Sequence, residues 1–346
     1  MIKVINSGLL SSFQDKGRYG YKKFGVSRSG SLDFFSFDLA NKLTGNSFNE
    51  PCLEIIGGFS CLFLENTIIS ITGPLDFFSV NENFIYRTNS SIRLNAGDKL
   101  DIPNSQKGNI FYLSVAGGFR IQEVLGSYSY HQPSDITNSL KLSNGDMIKL
   151  KINNQNNLFI SQDDFFEKNI FNEQSINIIY DQESKSENIK SFFEDKEFII
   201  SDQFSRQGIR LIGEQANFFK DQDEISSEVS AGTIQLPPDG NPIILLNDSQ
   251  TTGGYKKIGA IPKYELSKLC QKIISSKVKF SEISLSDSIS KFRKLKSEFE
   301  NINIQNYINK VLEINGRLIS VQILENNSII SISEGEQFEV IEDSFE

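Results

Sequence analysis

Tryptophan is absent from this 346-residue chain, histidine occurs once and methionine twice. A single histidine, His131, leaves no means of building a His-rich zinc or iron site within the chain, and argues against a histidine-based nucleophilic relay. Metal ligation is therefore not expected. The three cysteines, Cys52, Cys61 and Cys270, are odd in number and at no metal-ligand spacing. They read as buried thiols in a reducing compartment. No window approaches the roughly 18 to 20 apolar residues needed to span a bilayer. The opening MIKVINSGLL lacks both the apolar core and the small-residue cleavage site of a signal peptide. A cytoplasmic location without membrane attachment is expected. Basic charge is also short, with a net charge of −9. A nucleic-acid binder needs a basic stripe to displace phosphate counterions. The only basic cluster, Lys291, Arg293, Lys294 and Lys296, reads as a solvated helix face.

What the chain does have is phenylalanine, 28 of them, enough large apolar surface for a substantial core. The length suits two domains of ordinary size, with boundaries expected at 1–150, 151–300 and a small appendage at 301–346. Short β-type runs dominate: 61–72, 92–102 and 110–116. The turn Leu94-Asn95-Ala96-Gly97-Asp98 recurs at Leu142-Ser143-Asn144-Gly145-Asp146, with glycine free to take positive φ. A looser echo lies at 333–336. Asn315-Gly316 between alternating strands at 311–323 is the strongest hairpin signal, which makes the tail a small β appendage. Helices are expected near Ser31 with Asp33 in the first turn, over 263–274, and over 287–300 with Asp287 as cap. Residues 150–175 read as a linker and 181–197 as a polar loop carrying a short helix. The fold class is mainly β with a few short helices.

Two clusters carry chemistry. In the first, Gln14, Asp15 and Arg18 precede a second glycine-punctuated loop, Gly25 to Asp33, that runs into the Ser31 helix. Free backbone N–H groups at a helix N-terminus suit a carboxylate or phosphate, and Arg18 could clamp it bidentately. Equally, Asp15 can pair with Arg18, Ser29 or Ser31 can cap, and the glycines can simply turn the chain. In the second, the apolar strand Ile243–Leu246 ends in Asn247-Asp248-Ser249-Gln250-Thr251-Thr252-Gly253-Gly254-Tyr255-Lys256-Lys257. Such a density of unlike polar groups at a rigid strand end suits a pocket. Asp248 is a candidate general base and Lys257 a candidate stabiliser of developing negative charge. Gln250, Thr251, Thr252, Gly253, Gly254 and Tyr255 are candidate substrate contacts, as are Gln14, Asp15, Arg18, Ser29 and Asp33. The alternative is a Gly-Gly turn whose threonine hydroxyls close local hydrogen bonds. His131 reads as a surface or hydrogen-bonded residue.

These clusters resemble a known family. The segments Gln14 to Gly20, Gly25 to Asp33, Ala40 to Asn46, Leu53-Glu54, Ile71 to Gly73, Val115 to Gly118, Val124 to Ser129, Gly232 to Ile243 and Asp248 to Ile258 are similar, in order, to motifs of one group of proteins. That group is the family of biotin-dependent carboxyltransferases and C-type subunits of 5-oxoprolinase. It includes allophanate hydrolase subunit 2 and KipA-like antagonists of a sporulation-kinase inhibitor. The resemblance implies tandem cyclophilin-like β-barrel domains. It further implies a companion carboxyltransferase-like subunit (the B type of 5-oxoprolinase) and a lactam-utilisation subunit of A type. The free-standing length is most similar to the 5-oxoprolinase arrangement, in which ATP activates 5-oxoproline for ring opening to glutamate. A biotin-dependent transfer to urea or a similar small amide, or regulatory binding of a kinase inhibitor, are the other activities in the family. The sequence departs from the family pattern at 130–140, at Ser249 where arginine is usual, and at Lys256 where proline is usual. Ser205-Arg206-Gln207-Gly208 replaces the common R-M-G form but keeps its arginine and glycine.

Overall fold

A computed structural model describes residues 1–340 apart from 153–155, 162, 172–174, 217–224, 315–316, 325–328 and 334–335. The first half folds from β1 (Ile2–Asn6), β2 (Leu10–Gln14), helix α1 (Phe34–Leu43), β3 (Cys52–Ile56), β4 (Phe59–Phe63), β5 (Thr67–Thr72), β6 (Phe77–Val80), β7 (Phe84–Arg87), β8 (Ser90–Leu94), β9 (Lys99–Ile102), β10 (Ile110–Val115) and β11 (Met147–Ile148). One sheet runs β11-β1-β4-β9-β6-β7 and the other begins β2-β3-β10-β5-β8. Val4, Phe13, Leu53, Ile55, Phe63, Ile71, Phe111 and Leu113 are buried in the core they share.

The second sheet is buried on both faces, and its period-two alternation divides the load. On β10, Phe111, Leu113 and Val115 join that core, while Ile110 and Tyr112 join the cluster on the other side. There α1 lies across the sheet, held by hydroxyls: Ser70 donates to the Ala40 carbonyl and Thr72 to the Ser36 carbonyl, each at 2.7 Å. The repeated turns are built alike. The Asn95 and Ser143 amides each donate to the carboxylate three residues on, Asp98 and Asp146, at 2.7 Å. Gly97 and Gly145 have φ of 99° and 92° with open space around them, so backbone conformation alone selects glycine there.

The second half adds β12 (Leu158–Ser161), β13 (Ser175–Tyr180), α2 (Glu187–Glu194), β14 (Phe198–Ser205), β15 (Gly208–Ile212), β16 (Ser227–Glu228), β17 (Thr233–Leu236), β18 (Ile243–Leu245), β19 (Thr252–Gly253), β20 (Lys256–Ala260), α3 (Lys263–Cys270), β21 (Lys277–Glu282) and α4 (Leu285–Glu300). Seven of these strands close a barrel in the order β13-β20-β17-β18-β15-β14-β21, packed inside with aliphatic residues such as Ile178, Ile209, Ile234 and Ile244. The polar stretch at 150–175 is more than a linker. It contains β12, which pairs with β8, and it buries Phe165, Phe166 and Ile170 against α1, α3 and α4. The helices differ from expectation mainly at their ends. Asp33 is the N-cap of α1 and not a first-turn residue; α3 ends at Cys270; α4 is capped by Ser284, whose hydroxyl accepts from the Asp287 amide at 3.1 Å.

The tail is a meander, β22 (Ile304–Ile314), β23 (Arg317–Leu324), β24 (Ile329–Ser333) and β25 (Glu336–Val340), which extends the second sheet through β12. The expected hairpin strands pair from Tyr307 with Leu324 to Ile314 with Arg317. Their Asn315-Gly316 turn lies outside the described residues, as do Glu334 and Gly335 of the looser echo.

Candidate functional site

The two glycine-punctuated loops lock together. Gly17 and Gly30 both have positive φ, and a Cβ on either would meet the backbone of the opposite loop: Arg28 O at 2.6 Å from Gly17, Gly17 N at 3.0 Å from Gly30. The Arg18 amide donates to Arg28 O at 2.8 Å and the Ser31 amide to Asp15 O at 3.1 Å. Beneath them the polar side chains are spent on structure. The Asp15 carboxylate accepts from the Gly17 amide (2.7 Å), the Tyr128 amide (2.8 Å) and the hydroxyls of Ser127 (2.6 Å) and Ser129 (2.5 Å). Arg18 donates to Ser29 Oγ at 2.9 Å and to the Ser129 carbonyl. Burial pulls the Arg18 pKa down, against the attraction of Asp248 and Asp15. The Gln14 side-chain amide donates to Ser12 Oγ at 3.0 Å. Asp33 caps α1 and accepts from Gln271 Nε2 at 2.9 Å.

A fully buried ion network ties these loops to the barrel. Arg206, in the turn after β14, donates from Nε to Asp248 Oδ2 at 2.9 Å, from Nη2 to the Gly30 carbonyl at 2.7 Å, and from Nη1 to Glu54 of β3. Glu54 also accepts from Tyr112 Oη at 2.6 Å and from the Leu32 amide at 2.8 Å. Desolvation disfavours the Arg206 charge, yet Asp248 and Glu54 outweigh it and raise its pKa. The segment that departs from the family pattern docks here as well. The Gln132 amide donates to Asp248 Oδ2 at 3.0 Å and its side-chain oxygen accepts from the Arg206 amide at 3.2 Å. His131 beside it is buried, not on the surface, with Nδ1 2.8 Å from Ser134 Oγ; burial lowers its pKa.

Above this network lies a cavity of about 630 Å³. Its walls are the loop from Ser27 to Ser31, the strand-end residues Asn247 and Ser249 to Thr251, the segment Val229 to Ala231, and side chains of α1, α3 and α4. Asn247 joins two of these walls, its Nδ2 donating to Ser31 O at 2.8 Å while its carbonyl accepts from the Ser29 amide at 3.0 Å. Five basic residues line the cavity, Lys16, Lys22, Arg28, Lys263 and Lys296, against the carboxylates of Asp38 and Glu300. In a chain of net charge −9 this is a local reversal of sign that suits an anion. Lys263 Nζ lies 4.5 Å over the Phe34 ring, and desolvation, with the nearby Arg28, holds its pKa below the usual lysine value although the residue is exposed as a whole. Asp38 moves the other way: desolvation raises its pKa to about 6, partly opposed by Lys16, Lys263 and Lys296.

Of the residues expected to form a site, Ser29, Gln250 and Thr251 line this cavity. Gln14, Asp15, Arg18, Asp33 and Asp248 are buried in the support beneath its walls. Thr252, Gly253, Gly254, Tyr255 and Lys257 are not among its lining residues. β19 pairs with β16, and Lys257 Nζ donates to the Glu228 carbonyl at 2.6 Å. A Cβ on Gly253 would meet Gln235 Nε2 at 2.3 Å. Sequence reasoning passed over Lys16, Arg28, Asp38 and Lys263. Only Lys16 and Arg28 carried a signal, as neighbours of the first cluster's glycines. Among the described residues no three His, Cys, Asp or Glu side chains converge as metal ligands, and no helix is long and apolar enough to cross a membrane. All three cysteines are buried free thiols.

Residues 24–282 match the family described as carboxyltransferase domain, subdomain A and B. The chain is 29% identical over 316 residues to the C-type subunit of 5-oxoprolinase from Escherichia coli strain K12, covering 87% of this chain and 97% of that protein. It is 30% identical over 313 residues to urea amidolyase of Lachancea kluyveri, covering 82% of this chain but 17% of that protein. The solved urea amidolyase of Kluyveromyces lactis shares the fold, with a TM-score of 0.77 at 23% identity over 95% of this chain and 22% of that one.

Proposed function

The chain belongs to the carboxyltransferase family of subdomains A and B, and on that premise we propose that it is a cytoplasmic subunit of a bacterial ATP-dependent 5-oxoprolinase. With a companion subunit of B type and a lactam-utilisation subunit of A type, it would open 5-oxoproline to glutamate. Two facts of extent support this reading over the urea-directed one: nearly the whole of the E. coli protein is covered, and only a small part of the urea amidolyase. The observation that carries it is the cationic cavity walled by both polar clusters. A small anionic lactam, or the phosphates of ATP, fits the donor set of Lys16, Arg28 and Lys263. ATP, when bound, supplies the phosphoryl group that activates the lactam oxygen.

The chain's own residues bind and orient. Lys263 and Arg28 hold the carboxylate, and the aromatic wall of Phe34 and Phe292 excludes water from the ring. Gln250 and Thr251 offer hydrogen bonds from the strand end. Asp248 is assigned a positioning role: through Arg206 it fixes the Gly30 loop. Lys257 holds the 228–231 segment by its bond to Glu228 O.

The test is 5-oxoproline-dependent ADP release by the purified chain mixed with its partner subunits. Turnover is expected only in the mixture. Absence of turnover, together with urea-dependent consumption of carboxybiotin, would replace this reading with the carboxyltransferase one. Lys263→Ala is expected to raise KM for 5-oxoproline about ten- to a hundredfold, the scale of one lost charge-assisted contact. An unchanged KM would remove Lys263 from the site.

A further inference from the structure

Asp38 lines the cavity and has no part in holding the carboxylate of 5-oxoproline. It projects from the second turn of α1, where its side chain keeps 22% of its exposure. Its Oδ1 is shut off from solvent and accepts no hydrogen bond. The nearest cation, Lys16 Nζ, stands 3.8 Å away, close enough for attraction and too far for a hydrogen bond. Charged groups reach it from every side: Lys16 from the loop after β2, Lys263 from α3, Lys296 from α4, and Asp33, which repels it, from the cap of its own helix. A carboxylate oxygen stripped of water and given no donor is costly to keep. Asp38 lines the cavity, and rotation of its carboxylate about χ2, a soft torsion, turns this oxygen toward a ligand that brings the donor.

The ligand that suits the pair is defined by its polarity. Asp38 can only accept when ionised, and Lys16 can only donate. A lactam turns its N–H and its C=O to the same side of the ring, one donor and one acceptor side by side. We infer that Asp38 accepts the N–H of a substrate amide while Lys16 donates to the carbonyl of that same amide, so that the cavity selects amides over esters of the same shape. The inference rests on the cavity being the substrate site of the proposed 5-oxoprolinase, and deepens it by naming the group that reads the lactam bond. It requires no covalent step at Asp38.

The discriminating probe is the lactone analogue of 5-oxoproline, 5-oxotetrahydrofuran-2-carboxylate. It keeps the ring and the carboxylate and replaces the N–H by an oxygen that ionised Asp38 repels. Binding of both compounds to the chain assembled with its partner subunits is measured by calorimetry at pH 7.5. The wild type is expected to prefer the lactam by at least about tenfold, since a site built to accept an N–H leaves its acceptor unpaired with the analogue. Asp38→Ala and Asp38→Asn are each expected to bring the preference within about threefold, with affinity for the lactone held or improved. The wild-type preference is expected to shrink as pH falls below 6, as Asp38 takes up a proton and becomes a donor, and the Asp38→Ala value is expected to stay flat. A wild type that binds lactam and lactone equally overturns the inference and leaves the substrate reading standing. So does an Asp38→Ala variant that keeps the tenfold preference, because Asp38 is then only an ion-pair partner of Lys16. Failure of the wild type to bind either compound overturns the substrate reading and the inference with it.

Discussion

Asp33 and Asp38 show how one residue type on one helix comes to opposite ends. Asp33 stands where a chain enters a helix, and there a carboxylate is taken up by backbone amides. Its sequence position was informative for capping. Asp38 lies inside the helix at a position with no motif. Its setting is made by α3 and α4, whose residues are more than two hundred positions away in the chain, so local pattern carried no trace of it. The pKa of Asp38 is raised in the fold from an ordinary 3.8 to about 6. Between those values the folded chain binds the proton more tightly than the unfolded one, so stability falls as pH rises through the window. Above about pH 6 the ionised group costs the fold on the order of 1–3 kcal/mol. Asp38→Asn is therefore expected to melt higher than wild type at pH 7.5, with the two converging toward pH 4. Thermal unfolding at both pH values checks this. A lower melting temperature for the variant at pH 7.5 would mean that the attraction of Lys16 outweighs desolvation.

Among the elements, α1 is the platform on which both the walls and the floor of the cavity are set. Phe35, Leu39 and Leu43 follow helical spacing and are buried, and that much was legible. The opposite face is buried too, through Phe37 and Ala40. Ser70, Thr72 and Ser114 on the sheet meet its carbonyls and its C-terminal threonine. Polar positions in β5 and β10 thus receive a helix, which strand pattern alone does not show. The repeated Gly-Asp turns were readable because the turn chemistry is local, but they close no hairpin: the first joins β8 to β9 in the other sheet, and β11 after the second pairs with β1. The two-residue strands β16 and β19 were not readable, because only tertiary pairing defines them. The contrast between caps gives a test. Ser284→Ala at the exposed start of α4 removes one side-chain acceptor and is expected to cost about 1 kcal/mol. Asp33→Ala removes a cap and also strands the buried Ser36 hydroxyl and Gln271 amide, and is expected to cost at least about 3 kcal/mol. Denaturant unfolding of the two variants ranks them, and equal losses would show that the Asp33 contacts to Ser36 and Gln271 add nothing beyond capping.

For the whole molecule the joint between the two halves is the Glu54–Arg206–Asp248 network. Glu54 comes from the first half's second sheet, Arg206 from a barrel turn, and Asp248 from the end of a barrel strand. Glu54 and Asp248 fall in segments that carry the family resemblance, and Arg206 is the arginine kept in a segment that departs from it, so their presence was readable. Their meeting was not, since 152 positions separate Glu54 from Arg206 and 42 separate Arg206 from Asp248. Asp248 seen alone resembles a free base at a strand end; seen with its partners it is half of a buried ion pair. Removing the guanidinium leaves two carboxylates buried and opposed, so Arg206→Met is expected to destabilise by about 3–5 kcal/mol. Neutralising the carboxylates as well should recover much of that loss, because the penalty is the uncompensated charge and not the missing attraction. The triple variant Glu54→Gln, Arg206→Met, Asp248→Asn is therefore expected to be more stable than Arg206→Met alone in urea unfolding. It is also expected to bind 5-oxoproline more weakly than wild type, because the Gly30 carbonyl loses its anchor and the loop from Ser27 to Ser31 loses its fixed position over the cavity. If the triple variant were as unstable as Arg206→Met, the network would owe its value to geometry at the joint and not to charge balance. If it bound the lactam like wild type, the cavity wall would be held by Asn247 without help from the ion network beneath it.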